Sequence, residues 1–352
     1  MTRILYFGSY NPAYSRNRVI MKGLRMHGAE LIECHAAGRG LRLWWNLVKR
    51  YRNLHADYEM MFVAFPGHEI ALLGRLLAWR RPIIVDVYTS HYTGYVLDRG
   101  RCAPDSLRAK YYRFMDWLAC RCADVALLDT DAHIRFLRDE LGIRHPRFRR
   151  VWIGSDSELF SPHAGDVSHP EFIVHYHGHY IPHHGTPVIV RAAALLMREG
   201  VRFRMVGSGQ EYQKCRALAE ELHAENVEFI EEVPYERMPD LLAESDVCLG
   251  VFGTNRKTGL TITNKIFEAA SMAKPVITAD APAVRELFCH GRDIFLCPGG
   301  DEHALASAIR SLKEDTVLRA SLGAGARATF CEHCSEDRIG AELMKIVSEL
   351  KY

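Results

Sequence analysis

The chain has 352 residues, 48% of them hydrophobic and 25% charged, with a formal net charge of +2. That composition excludes a disordered chain and supplies roughly two domains with substantial cores. No apolar run approaches the ~18–20 residues of a membrane span. The N-terminal MTRILYFGSY lacks a signal-peptide h-region and cleavage site, so a cytoplasmic protein is expected.

In chain order, ILYFGSY (4–10) reads as a strand ending in a loop, and Ser15-Arg16-Asn17 open a helix through Arg25. The planar fork of Arg16 suits an anion, although an exposed Arg capping the loop is an equal reading. GRGLRLWWNLVKRYRNL (38–54) reads as a helix. Leu41, Trp44, Trp45, Val48 and Tyr51 gather on one side, and Arg42, Lys49, Arg50 and Arg52 lie mostly elsewhere. Two readings stay open here: a segment lying in a bilayer interface, or a helix packed on a sheet with a solvated basic face. Further strands lie within 58–69, 81–92 and 123–130, each ending in a polar loop. Asp129-Thr130-Asp131 has a metal-binding Asp-x-Asp form, but it closes a strand and opens a helix, where an N-cap is expected. Residues 1–168 hold 25 Lys or Arg against 17 Asp or Glu, and the remainder 20 against 26. A basic first half and an acidic second half suggest that the first meets something anionic; no nucleic-acid module accompanies the charge.

The second half repeats one plan. PEFIVHYHGHYIPHHGTPVIVRAAALL (170–196) and VRFRMVGSGQEYQKCRALAEEL (201–222) each read as strand, glycine turn and helix. VEFIEEVP (227–234), a helix over 236–245 and the strand DVCLGVF (246–252) follow. Such units build a parallel sheet whose ligands gather at the strands' carboxyl ends. TGLTITNKIFEAASMAKPVI (258–277) is the most informative segment: a Thr-rich loop, a helix opening near Asn264, and a buried strand after Lys274-Pro275. Thr261, Thr263 and Asn264 can cap that helix, with Arg256, Lys257 and Lys265 as cationic donors nearby. Glu268, one turn in, suits the two vicinal hydroxyls of a ribose. A nucleotide-diphosphate site is therefore weighed against a surface helix with a charged first turn.

The ten cysteines are scattered and form no compact disulfide framework. Cys331-Glu332-His333-Cys334 has a metal-like spacing but no second pair, and His175, His177 and His179 alternate along one strand face. Neither is taken as a metal site.

Residues 173–310 resemble the donor-binding half of a family 4 retaining glycosyltransferase. The matching pieces are Gly178 with His184-Gly185, Gly207-Ser208-Gly209, Ser245-Asp246-Val247, Lys265 to Ala269, and Lys274 to Ile277. Val151 to Asp156, with Phe160 and Pro162, is similar to the stretch closing that family's N-terminal domain. The resemblance implies the GT-B fold: α/β, two Rossmann-like parallel-sheet domains facing across a cleft. Residues 1–165 would bind the acceptor and 166–330 the nucleotide-sugar donor, and 331–352 would form a helix packing back on the first domain. It further implies retaining transfer from a nucleotide-diphosphate sugar to a glycolipid or polysaccharide-precursor acceptor, with no metal and no cofactor, on the inner face of the membrane.

By the same resemblance, Gly8, Ser9 and Arg16 approach the donor phosphates, joined by Gly178, His179, His184, Gly207 and Gly209. His91, Lys265 and Glu268 would be catalytic. Three departures stand out. Leu260 occupies the place of the first of two glutamates, histidines at 179 and 184 replace an Arg and a Lys, and Tyr88 occupies the usual place of a histidine that His91 follows. Those histidines would carry a charge that depends on pH near neutrality. A sugar-nucleotide epimerase of the same architecture and a non-catalytic binding partner remain as alternatives. A nicotinamide dehydrogenase is disfavoured, because no GxGxxG follows the first strand.

Overall fold

A computed structural model describes residues 2–145, 147–162 and 171–350. The chain divides into two compact units, residues 1–154 with 335–352, and 155–334. The expected boundary between 165 and 166 lies outside the described residues.

The first unit alternates strands and helices: β1 Thr2–Gly8, α1 Ser15–Met26, β2 Ala29–His35, α2 Gly40–Leu54, β3 Met60–Val63 and α3 Ala71–Ala78. It continues with β4 Ile83–Tyr88, α4 Leu107–Cys122, β5 Val125–Leu128, α5 Asp131–Arg135 and β6 Phe148–Arg150. The sheet order is β2-β1-β3-β4-β5-β6, and every pairing is parallel. Ile4 through Phe7 are all buried, as expected of a central strand covered on both faces. The chain steps from β1 back to β2, then forward to β3, β4 and β5. Right-handed crossovers therefore put α1 on one face of the sheet and α2, α3 and α4 together on the other.

Arg16 corrects an expectation. Its guanidinium is fully buried and grips Asp86 through Nε (2.7 Å) and Nη2 (2.6 Å), while Nη1 donates to the Val151 carbonyl at 3.1 Å. It also lies 4.8 Å from the Tyr88 ring centroid. The fork is engaged in tying α1 to β4, so it offers no exposed clamp for an anion. In the 38–54 segment, α2 buries Leu43 and Leu47 rather than the expected stripe. Trp44 is held by its Nε1 donating to the Glu69 carbonyl (3.1 Å), and Tyr51 by its hydroxyl donating to the Leu77 carbonyl (3.0 Å). Leu41 and Trp45 point outward.

The second unit holds β7 Phe172–His177, α6 Thr186–Leu195, β8 Val201–Val206, α7 Tyr212–Glu221, β9 Val227–Ile230 and α8 Met238–Ala243. Then come β10 Val247–Leu249, α9 Asn264–Ser271, β11 Val276–Ala279, β12 Phe295–Cys297, α10 Glu302–Glu314 and α11 Thr316–His333. Its strand order, β12-β11-β10-β7-β8-β9, is again all parallel, and the winding reverses between β7 and β10. A doubly wound sheet places ligands outside the carboxyl ends of the strands at that reversal.

The last helix, α12 Glu336–Glu349, belongs to the first unit and packs on α1. The contact is backbone to backbone. A Cβ on Gly23 would lie 2.3 Å from the Glu336 carbonyl oxygen, and one on Gly340 would lie 2.2 Å from the Gly23 oxygen. Ile339 and Leu343 complete the core beside Val19 and Ile20. All ten cysteines are free thiols, including Cys331 and Cys334 at the end of α11. No helix among the described residues is long and apolar enough to cross a membrane.

Candidate active site

In the second unit, the reversal point is occupied by a buried polar group built from β7 and α9. Alternation along β7 sends His175 and His177 to the same side of the sheet. His175 Nε2 lies 3.1 Å from His177 Nδ1, and His177 Nε2 lies 2.7 Å from Glu268 Oε2. The other carboxylate oxygen, Oε1, accepts from the Tyr235 hydroxyl at 2.7 Å. A carboxylate only accepts, so His177 carries a proton on Nε2, and as a neutral imidazole it accepts at Nδ1 from His175. His175 Nδ1 is then a bare acceptor, and it is buried without a partner.

Glu268 is ionised. Burial pushes its pKa up, but the hydrogen bonds from His177 and the Tyr235 hydroxyl and the Lys265 charge together outweigh burial and hold it below the usual range. The expectation of a carboxylate free to receive two ribose hydroxyls is therefore corrected. Glu268 is buried, and each oxygen already holds a donor. Tyr235→Phe should remove one of those donors and cost about 1 kcal/mol. Comparing urea midpoints of the variant and the parent at unchanged m-value checks this.

Lys265 lies in the first turn of α9, also buried. Its Nζ is 3.5 Å from His184 Nδ1 and 5.0 Å from the Tyr176 ring centroid, and among the described residues it has no carboxylate partner. Burial lowers its pKa to about 7, although the Glu268 charge opposes the shift. A Cβ on Gly178 would come within 3.2 Å of this ammonium, so glycine keeps the end of β7 open beside it. Gly207 performs a similar service at the end of β8, where a Cβ would lie 2.1 Å from the Gly178 carbonyl oxygen. Gly209 follows in a positive-φ conformation.

The start of α9 has an uncommitted end. Thr263 is the N-cap residue, yet its side chain makes no capping bond, and its Oγ1 is buried without a partner. The backbone N–H groups of the first turn thus lack a side-chain oxygen there. Arg256 and Lys257 sit on the short turn before it, Arg256 exposed and Lys257 buried. Leu260 is packed in the core.

The histidines that replace cationic residues divide. His179 is exposed, and its carbonyl accepts from the Tyr176 hydroxyl at 3.0 Å. His184 is buried, with Nδ1 2.8 Å from the Tyr176 hydroxyl. Burial first, then the Lys265 charge, push its pKa well below the ordinary value. The expected titration of His184 near neutrality is corrected: it is a neutral imidazole throughout that range.

In the first unit, Gly8 ends β1 at a φ of 149°, with Ser9 half-exposed beyond it. β4 ends at Tyr88, which has a φ of 58°, a region that non-glycine residues rarely enter and that functional loops often use. Beyond it, Asp116 of α4 organises the loop, accepting from the Ser90 hydroxyl and from the His91 and Tyr92 backbone N–H groups at 2.7–3.0 Å. The His91 ring stacks on His68 with centroids 3.8 Å apart. Burial, then His68, lower the His91 pKa to about 3 against the pull of Asp116, so its imidazole is neutral at working pH.

His68 escaped the sequence reading. It follows a Pro-Gly turn with no neighbouring motif, and only the fold stacks it on His91. His68, His91 and Asp116 bring ligand atoms within 4.8 Å of one another. Stacked rings aim their in-plane lone pairs side by side rather than at one point, which is poor geometry for a shared cation. At Asp129-Thr130-Asp131, the Thr130 hydroxyl caps α5 by accepting from the His133 N–H, and Asp129 pairs with the His133 ring at 2.9 Å.

Residues 171–315 match the family model described as "Glycosyl transferases group 1". Over 264 residues the chain is 26% identical to D-inositol 3-phosphate glycosyltransferase of Corynebacterium glutamicum, covering 70% of this chain but 61% of that relative. Sucrose-phosphate synthase from Thermosynechococcus elongatus has a similar structure, with a TM-score of 0.79 at 15% identity over 99% of each chain. HepE of Anabaena, solved with UDP-glucose, gives a TM-score of 0.76 at 19% identity, over 99% of this chain and 100% of that one. The chain therefore has the two-sheet fold seen in GT-B glycosyltransferases, and within its second unit residues 171–315 match the group 1 glycosyl transferase model.

Proposed function

We propose that this chain is a glycosyltransferase that moves a sugar from a nucleotide-diphosphate donor, with retention of configuration, to a lipid-linked or saccharide acceptor. One observation carries the reading. A buried ammonium without a counter-ion, Lys265, stands at the uncapped start of α9, beside glycines that let the backbone approach. An unpaired buried cation is costly, and a diphosphate would supply both the missing charge and acceptors for the free N–H groups.

In this reading Lys265 and the first turn of α9 stabilise the charge that grows on the departing diphosphate. Arg256, Lys257 and the exposed His179 supply further donors. Gly8, Ser9, Gly178, Gly207 and Gly209 let backbone approach the donor, and Thr263 and Asn264 bind it from the helix start. His184 takes part as a neutral hydrogen-bonding group. Glu268 acts as a positioning residue through His177 and Tyr235. His91 acts on the substrate as a neutral imidazole. The similar proteins set the first ligands to test: HepE was solved with UDP-glucose, and the corynebacterial relative acts on an inositol phosphate. A phosphorylated acceptor also agrees with the basic first half of the chain, and the 38–54 segment is assigned a contact with the membrane surface.

Calorimetric titration with UDP- and GDP-sugars tests the donor site. One sugar nucleotide should bind at micromolar strength, with transfer to an added acceptor. Absence of binding by every sugar nucleotide would overturn the site. Product formed without any acceptor would point to an epimerase instead.

A further inference from the structure

Helix α4 presents its apolar side to solvent. Leu107, Tyr111, Phe114 and Trp117 are all exposed, Leu107 at 84% of its full area, and the Phe114 and Trp117 rings stack at 5.7 Å. Its buried residues lie elsewhere on the helix, among them Ala109, Tyr112, Met115, Ala119 and Cys120. An isolated exposed leucine is ordinary, but a largely aromatic stripe along about three helical turns is not.

The same layer of helices repeats the pattern. On α2, Leu41 and Trp45 stand out, Trp45 at 71% exposure. At the end of α3, so do Leu76 and Trp79, the latter at 75%. All three helices cover one face of the first sheet, and α3 packs against α4. Together they hold nine Arg or Lys and a single acid, Asp116, which is buried. Beside the start of α2, a hollow of about 570 Å³ is lined by Ala37, Gly38, Arg39, Arg42 and Asn46, and no side chain caps that helix. Arg75 is paired with Asp124 and Arg113 donates to the Leu141 carbonyl; the other cations, interleaved with exposed Trp, Phe and Leu, match the chemistry of an anionic lipid surface, with apolar groups entering the acyl boundary and cations meeting headgroup phosphates.

We propose that the outer side of the α2–α3–α4 layer, with the α4 stripe at its centre, docks on an anionic bilayer. Lys110 and Arg121 lie among the stripe residues on α4 and would face the headgroups. This goes beyond a contact confined to residues 38–54 and does not rest on the transferase reading.

Flotation of the whole chain with phosphatidylcholine vesicles, with and without phosphatidylglycerol, provides the test. The parent should float only with the anionic vesicles. Lys110→Glu with Arg121→Glu, which leaves the apolar stripe and the core untouched, should lower partitioning about tenfold or more. Leu107→Ser with Phe114→Ser should lower it by a similar factor. Circular dichroism and thermal melting of each variant report that it is folded. Failure of the parent to bind anionic vesicles would overturn the proposal, as would unchanged binding by both α4 variants. A parent dimer that the serine variant converts to monomer, without vesicle binding by either, would assign the face to a second copy of the chain and equally overturn it.

Discussion

Lys265→Met should abolish most sugar-nucleotide binding and turnover, by 100-fold or more at roughly the 3 kcal/mol expected of one preorganised charge at a phosphate. The same change should leave the protein at least as stable as its parent. Methionine keeps the length of the side chain, and it removes a buried ammonium whose only close partners are His184 Nδ1 and the face of Tyr176. Burial holds the Lys265 pKa near 7, whereas an unfolded lysine titrates near 10.5. Between those values the unfolded chain binds the extra proton, so parent stability should rise with pH from about 7 to 10.5, and Lys265→Met should flatten that slope. Ligand binding has the opposite sign. A diphosphate selects the protonated amine, so donor affinity should be constant below pH 7 and weaken above it, up to about tenfold per pH unit. Calorimetry in buffers of different ionisation heats would detect the proton taken up at pH 8. Full activity in Lys265→Met would remove the proposed site.

Glu268→Ala should lose about 3 kcal/mol of stability and most turnover, because it strands His177 and the Tyr235 hydroxyl without an acceptor. Glu268→Gln is the sharper test. Its carbonyl can keep the bond from His177 with the amide nitrogen turned to Tyr235; with the nitrogen turned to His177 Nε2 instead, the His177 proton moves to Nδ1 and the bond to His175 reverses. His175 would then point an N–H from Nδ1, the atom that is buried without a partner. Nitrogen NMR shifts of the two imidazoles distinguish the two orientations, and parent shifts showing no proton on His177 Nε2 would refute the hydrogen-bond chain. The folded carboxyl sits below its ordinary pKa, so its contribution is complete above about pH 4.5 and fades as the pH falls through the lower folded value. The glutamine variant should therefore lose less stability than the parent on acidification.

Much of the architecture was legible without coordinates. The buried run 172–177 ending at Gly178 reports a strand covered on both faces, and 201–206, which alternates apolar residues with Arg202 and Arg204 before Gly207, reports a strand with one face nearer solvent. The opening of α9 near Asn264 and the cluster of donors around it were equally readable, since local chemistry decides helix starts. α4 was not read as an element in its own right: with apolar side chains around its whole circumference, it has little 3.6-residue contrast to detect.

What required tertiary structure was the partnering of polar groups. Nothing near Arg16 in sequence marks Asp86, seventy positions away, as the acid that engages it. Glu268 and His177 are similarly separated by 91 positions, and His68 meets His91 only because β3 and β4 lie side by side. The order of residue types thus determined two wound parallel sheets and a helix start ringed by polar and cationic side chains, because hydrophobic pattern and turn chemistry act over a few residues. Which charges stay available to a ligand was decided by long-range packing, because burial and pairing depend on what the finished fold brings within about 3 Å.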